Sequence, residues 1–192
     1  MGTAINRRRQ TGQKKEKVLF ELYNTYFDGT VNSIVDAGIK LWDGTHNKFK
    51  LEIEFDKING QQLTLFTCKP DVSPYSGIRL RRNSLQTGIS NQITISDSAF
   101  TVIESCAREY IYTDSYGTHI CYTQDSTTSD YLTIVREDDI ITINLNNDYI
   151  KIQIDSPKTN SLNLLIGCDY KGASGTQRYY QGTIYKFKLT EL

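Results

Sequence analysis

The chain has 192 residues, 38% of them hydrophobic, with 13 Tyr, 3 Pro, 1 Trp and equal numbers of acidic and basic side chains. That length fits one domain with a core large enough to stand without disulfide staples, and no run approaches the ~18 apolar residues of a membrane-spanning helix. The balanced charge conceals a split: residues 1–17 carry Arg7, Arg8, Arg9, Lys14, Lys15 and Lys17 against Glu16, six minus one giving +5, so the remainder sums to −5.

A basic arm on an acidic body points to an acidic partner: nucleic acid, an anionic membrane or an acidic patch on another subunit. No aromatic interleaving or RNA-binding signature accompanies Arg7, Arg8 and Arg9, so nucleic acid is the weaker choice. Docking onto a neighbouring subunit, by strand addition or charge pairing, is the stronger. A solvated, unstructured terminus is the plain alternative. No apolar stretch follows the basic residues, so they do not read as a secretory leader. The opening MGTAIN has Asn6 where a myristoylation pattern needs Ser or Thr. The expectation is a chain made in a cytoplasm, with no membrane segment.

Along the chain, period-2 alternation dominates: VLFELY (18–23), KFKLEIEFD (48–56), QLTLFTC (62–68), GIRLRR (77–82), QITIS (92–96) and AFTVIES (99–105). It continues in YLTIV (131–135), IITINL (140–145), YIKIQID (149–155), LNLLIGC (162–168) and GTIYKFKL (182–189). Turn signals separate the runs at 59–60 (NG), 146–147 (NN), 156–157 (SP) and 171–175 (KGASG). The NN pair predicts a hairpin between IITINL and YIKIQID. In the last run Tyr185, Phe187 and Leu189 read as the buried face, with Lys186 and Lys188 outward. CAREYIY (106–112) reads as either strand or short helical turn, and the polar stretch 115–130 as a long surface loop. Eleven short strands with hairpin-length gaps predict an all-β, two-layer antiparallel sandwich over 18–192, preceded by the extended arm 1–17.

The four cysteines, Cys68, Cys106, Cys121 and Cys168, form no C-x-x-C pair, and only His46 and His119 could help them hold zinc. Two disulfides in any of three pairings suit a secreted chain; reduced, buried thiols suit this one better.

Two stretches resemble the concanavalin A-like lectin/glucanase superfamily in its laminin-G/pentraxin-like branch. They are YFDGTVNSIVDAGIKLWDGTHNKFKLEIEFD (26–56) and LLIGCDYKGASGTQRYYQGTIYKFKLTEL (164–192). Residues 26–56 are similar to the family's F-D-G-T turn, x-I-D-T-G-I strand and alternating F-T-I-E-I-D-F strand; residues 164–192 resemble its closing hairpin. The resemblance implies a jelly roll, a fold shared by lectins, hydrolases, adhesion modules and virion parts, so it says little about function. Gly29 and Gly38 fit its tight turns.

The resemblance also raises sites to weigh. Glu52, Glu54 and Asp56 share one strand face, as the catalytic acids of laminarinase-type relatives do. Their Glu-Glu-Asp order departs from that pattern, and Lys48 and Lys50 on the same face oppose the raised carboxyl pKa that a general acid needs. A charged exterior is the better reading, and no catalytic residue is expected. Several relatives bind Ca²⁺, for which Asp28, Asp36 and Asp169 are the available oxygen ligands. No dense run supplies the ~6–8 oxygens calcium takes, so no cofactor is expected and Asp28 reads as a turn residue. Tyr110, Tyr112, Tyr116, His119 and Tyr122 form a Tyr-rich stretch suited equally to a glycan or a protein partner.

The leading expectation is a non-enzymatic structural module of a virus particle, such as a phage capsid decoration, head-fibre or tail-appendage protein. Its arm would anchor it to other virion subunits and its sandwich would face outward. The alternative is a carbohydrate-binding, lectin-like module of a bacterial surface or secreted system.

Overall fold

The computed structural model describes residues 16–56, 63–69, 77–85, 88–96, 100–105, 109–114, 117–123, 129–155, 158–170 and 178–192. Within them run fourteen strands: β1 Lys17–Asp28, β2 Val35–Asp36, β3 Lys48–Asp56, β4 Thr64–Thr67, β5 Gly77–Leu85, β6 Gly88–Ser96 and β7 Phe100–Ser105. β8 Glu109–Asp114, β9 Gly117–Thr123, β10 Ser129–Glu137, β11 Ile140–Leu145, β12 Asp148–Ile154, β13 Leu165–Ile166 and β14 Gln181–Glu191 follow, and a single 3-10 turn occupies Val31–Ser33. The all-β sandwich expected from the alternation is what forms. No helix among the described residues is long and apolar enough to cross a membrane, which says nothing of strands.

The strands build two seven-stranded sheets, in the orders β1-β14-β3-β10-β11-β12-β7 and β2-β13-β4-β5-β6-β9-β8. We refer to them as the terminal sheet and the inner-loop sheet. Chain neighbours pair only in the hairpins β10-β11-β12, β4-β5-β6 and β8-β9; every other strand pairs with partners distant in the chain. Alternation fixes which side faces in, because a one-residue slip would turn every apolar residue to water. In β3, Phe49, Leu51, Ile53 and Phe55 are buried while the residues between them are not. They pack with Leu132 and Ile134 of β10, Ile141 and Ile143 of β11, and Ile150 and Ile152 of β12 against Phe66, Leu80, Ile93, Ile120 and Ile166 of the opposite sheet. Phe66 and Phe187 meet edge-on across the layers, with 6.2 Å between ring centroids.

The hairpin expected at 146–147 is present: Leu145 pairs with Asp148, and Asn146 and Asn147 both take left-handed backbone (φ 52° and 78°). That is the conformation a two-residue turn of matching twist requires, and Asn adopts it more readily than most side chains. Gly29 and Gly38 likewise sit at positive φ.

Two expectations change and one open reading is settled. The stretch 115–130 is not one long loop. It contains β9, which lies between β6 and β8, with Ile120 in the core. CAREYIY resolves toward strand, since β8 begins at Glu109. Tyr185 leaves the buried face because β14 carries an irregularity against β3 between Ile184 and Lys186. The extra residue turns outward, 38% exposed, and its hydroxyl donates to Asp56 Oδ1 at 2.6 Å. A bulge of this kind inserts one residue into one strand of a pair and re-aims its side chain.

Candidate functional site

The outward face of the terminal sheet is laid out by register. One row runs Glu21–Lys188–Glu52–Thr133–Asn144–Tyr149 across β1, β14, β3, β10, β11 and β12. A second runs Tyr23–Lys186–Glu54–Tyr131 across the first four of these strands. A third runs Thr190–Lys50–Val135–Thr142–Lys151–Glu104, from β14 to β7. The face therefore divides. Over β1, β14 and β3 it is largely a lattice of alternating Lys and Glu. Over β10 and β11 it is mostly hydroxyl, amide and tyrosyl.

The uncharged half holds an open groove of ≈ 630 Å³, bounded by Ser129, Tyr131 and Thr133 of β10, Thr142 and Asn144 of β11, and the turn residues Asn146 and Asn147. Pockets of roughly 300–1,000 Å³ are the usual size for small-molecule sites. Tyr131 is 40% exposed and fixed from two sides. Its hydroxyl donates to Glu52 Oε1 at 2.9 Å, and its backbone N–H donates to Asn146 Oδ1 at 2.8 Å. Asn146 is itself locked, donating from Nδ2 to Asp130 Oδ1 at 2.6 Å and from its backbone N–H to Tyr131 O at 3.0 Å. The turn that closes the β11–β12 hairpin thus also buttresses the aromatic platform of the groove. A rigid aromatic face beside hydroxyl and amide groups can stack on the C–H face of a sugar ring and exchange hydrogen bonds with its hydroxyls.

Beside the groove, Glu52 Oε1 also accepts from Lys186 Nζ at 3.0 Å and lies 3.5 Å from Lys50 Nζ. Partial burial works to raise its pKa, but the hydrogen bonds from Lys186 and Tyr131 and the charges of Lys50 and Lys186 outweigh it, leaving the carboxyl below its ordinary value. Asp56 shows the same balance. Burial raises it, while the Tyr185 hydroxyl and the Thr183 N–H, donating to Oδ2 at 2.7 Å, bring it below the ordinary range. A general acid working near neutral pH needs a shift the other way. Glu52 is held ionised by Lys186 and by Lys50, the second as expected, whereas Asp56 is held by Tyr185 and Thr183, and Lys48 turns away to Asp138, 3.3 Å distant.

The sequence-expected residues fall elsewhere. Of the arm, Arg7, Arg8, Arg9, Lys14 and Lys15 lie outside the described residues. Lys17 is the first residue of β1, opposite Glu191, with Nζ 3.1 Å from its carboxylate. Tyr112 and His119 are brought together, register partners on β8 and β9 with stacked rings 4.6 Å apart. His119 is not at a surface, however. It is fully buried, with Nδ1 2.9 Å from Thr94 Oγ1, so it is withdrawn from the proposed contact surface and its role is packing. Tyr110 and Tyr122 are placed by backbone register alone, opposite Cys121 and Glu109, and Tyr116 lies outside the described residues.

The three aspartates weighed for calcium serve local bonds. Asp28 accepts from the Thr30 N–H and hydroxyl at 2.8 and 2.7 Å; Asp36 accepts from the Gly38 N–H at 2.8 Å and from Asn163 Nδ2 at 3.1 Å. Asp169 is fully buried and accepts from the Arg178 backbone at 2.7 Å and its guanidinium at 2.9 Å. Among the described residues no cluster of three or more His, Cys, Asp or Glu is placed to hold a metal ion. Cys68, Cys121 and Cys168 are buried thiols with no disulfide among them; Cys106 lies outside the described residues. Trp42, the one tryptophan, is in the core with the Arg136 guanidinium 4.3 Å from its ring centroid, so it offers no ligand platform.

No family model matches the chain, and no curated protein matches it in sequence. Solved structures do match in shape. The CBM40 module of the Ruminococcus gnavus IT-sialidase has a TM-score of 0.59 at 11% identity, over 90% of this chain and 91% of that one. The same module bound to α2,3-sialyllactose gives 0.56 at 12% identity, over 90% and 91%. Domains LG4-5 of the mouse laminin α1 chain give 0.50 at 11% identity, covering 88% of this chain and 40% of that chain. These likenesses show the fold alone: a jelly-roll β-sandwich.

Proposed function

We propose that this protein is a non-catalytic carbohydrate-binding module whose sugar ligand lies against Tyr131 in the groove of the terminal sheet. The observation that carries the proposal is the fixed, part-exposed Tyr131 facing a patch of uncharged hydroxyl and amide groups. The fold shared with a CBM40 module that has been seen with sialyllactose bound supports it. The ionised, lysine-paired state of Glu52 supports binding without hydrolysis.

The virion setting expected from the basic arm finds no support in these likenesses, which are to a module of a sialidase and to a laminin chain. Carbohydrate binding is therefore the stronger of the two sequence-level readings. The arm remains a separate element: a chain lacking residues 1–15 keeps the sandwich and its sugar affinity, and loss of affinity on that truncation would place binding in the arm instead.

The direct test is a glycan array followed by calorimetric titration of the best ligand. Tyr131→Ala weakens binding roughly two- to tenfold, since an aromatic contact contributes on the order of 0.5–1.5 kcal/mol. Tyr131→Phe, which keeps the ring, retains most of the affinity. Undiminished binding by a folded Tyr131→Ala protein would exclude the groove.

A further inference from the structure

The geometry points to a ligand longer than the groove: a chain of linked sugars that rests on Tyr131 and on a second aromatic platform, Tyr185, at the far side of β3. The inference rests on the reading of the groove as a sugar site and adds the form of the ligand, an oligosaccharide rather than a single sugar.

Tyr185 faces outward because β14 breaks its register. Against β3, Ile184 pairs with Phe55 and Lys186 with Glu54, so Tyr185 is the residue left over between them. A bulge re-aims a side chain at the expense of ladder pairing, and this one delivers a ring to the same outward face as Tyr131. The two rings are presented alike. Tyr131 is 40% exposed and Tyr185 38%. Each is tethered by its hydroxyl to a carboxylate of β3, Tyr131 to Glu52 Oε1 at 2.9 Å and Tyr185 to Asp56 Oδ1 at 2.6 Å. Asp56 is itself held by the Thr183 N–H at 2.7 Å, so the second ring is braced in turn. A ring already tethered loses little further freedom when a ligand stacks on it.

The surface between the rings is continuous. Ser129, at the margin of the groove, is the register partner of Asp56, and Glu54 is the register partner of both Tyr131 and Lys186. β10 and β14 flank β3 on either side, so their backbones stand about 10 Å apart. That span exceeds one pyranose ring and suits two platforms under a single chain. Along it the Glu54 carboxylate can accept from sugar hydroxyls, and the Ser129 hydroxyl can donate or accept. Tyr23, 50% exposed and opposite Lys186 on β1, carries the line one strand further.

The test applies the full chain to a glycan array of graded ladders, from single sugars to hexasaccharides, of α1,4- and β1,4-linked glucose and β1,4-linked xylose, mannose and galactose. The expected result is a signal that rises with length in at least one ladder. Calorimetric titration of that ladder then shows a longer member binding roughly two- to tenfold tighter than the shortest binder, the contribution of one more aromatic contact. Tyr185→Ala erases that gain and leaves the affinity for the shortest binder, whereas Tyr131→Ala weakens every member. Tyr185→Phe gives up the tether and keeps the ring, so it retains most of the gain; loss of the gain in this variant too would reduce Tyr185 to a structural link. Thermal melting confirms that the variants are folded. A full gain in Tyr185→Ala, or an affinity that depends on Tyr131 but not on length, would overturn the inference while leaving the sugar site standing. Silence of the unaltered protein across every ladder would remove the sugar-site reading itself, and this inference with it.

Discussion

Gly167→Ala puts the packing logic of the sandwich to a measurable test. Gly167 joins β13 to the bridge at Cys168 with a φ of +89°. A methyl group there would lie 2.4 and 2.5 Å from Phe27 Cδ1 and Cε1. Carbon atoms rest at ~3.5–4.0 Å, so the overlap is about 1 Å or more. Neither side can yield easily. Phe27 is fully buried and packs edge-on against Tyr180 at 5.8 Å. The Gly167 N–H donates to Leu65 O at 2.7 Å, and its carbonyl accepts from the Tyr180 N–H at 2.8 Å. Overpacking of this kind costs roughly 1–3 kcal/mol, and left-handed backbone with a side chain adds about 1–2 kcal/mol. The sum, on the order of 2–5 kcal/mol, is a large share of a domain's usual ~5–15 kcal/mol. Gly38→Ala is the control: its φ is +67°, but no atom lies within 4 Å of the added methyl, leaving the backbone contribution alone. Urea unfolding followed by the fluorescence of Trp42, buried in the core, reads both variants. A Gly167→Ala protein no less stable than Gly38→Ala would refute the claim that Phe27 occupies the space a side chain needs.

Other consequences are open to direct measurement. Glu52 and Asp56 sit below their ordinary values of 4.5 and 3.8 in the folded state, so the stability they lend is complete above those values and is lost as the pH falls through the lower folded ones. The urea midpoint should hold between pH 7 and 5 and drop below about pH 4, with a shallower drop in Glu52→Gln; an unchanged slope in that variant would show the carboxylate is not favoured by its lysines. Burial pushes the Cys68 and Cys168 thiols up to about 12, so iodoacetamide at pH 8 should leave both unmodified in the native protein and label them in urea, as peptide mass spectrometry would register. Asn147→Gly keeps the left-handed turn without a side chain, so it should preserve the melting temperature and weaken sugar binding; a fall in stability without a change in affinity would contradict its place in the groove lining.

The sequence carried the fold further than the site, for a physical reason. Strands such as β3 and β10 declare themselves because alternate residues must satisfy water on one side and a core on the other. β9 escaped notice because its inward and outward residues do not contrast: Ile120 is flanked by His119 and Cys121, and all three are buried. The bulge at Tyr185 is invisible in a sequence, since an inserted residue differs from its neighbours only in backbone pairing. The groove was overlooked for a subtler cause. Tyr131, Thr133, Thr142 and Asn144 each look like routine polar positions within their own strands. Only when β10 and β11 are laid in register do they become a continuous uncharged patch. A usable signal was present: the polar face of β3 is Lys and Glu, while that of β10 and β11 turns to Thr, Asn and Tyr. His119 misled because an imidazole in a Tyr-rich segment resembles a surface contact, whereas its hydrogen bond to Thr94 lets it be buried.

The pairing of β1 with β14 has a mechanical consequence. β1 is the outermost strand of its sheet, and Lys17 lies opposite Glu191. Tension applied between residues 16 and 192 therefore acts at one end of an antiparallel ladder and opens its hydrogen bonds one after another, like a zipper, rather than loading them all in shear. A tether running through both ends would peel away the first strand at modest force. A tether held through one end alone would put no load on that ladder, and the groove, three strands inward on β10 and β11, would keep its shape.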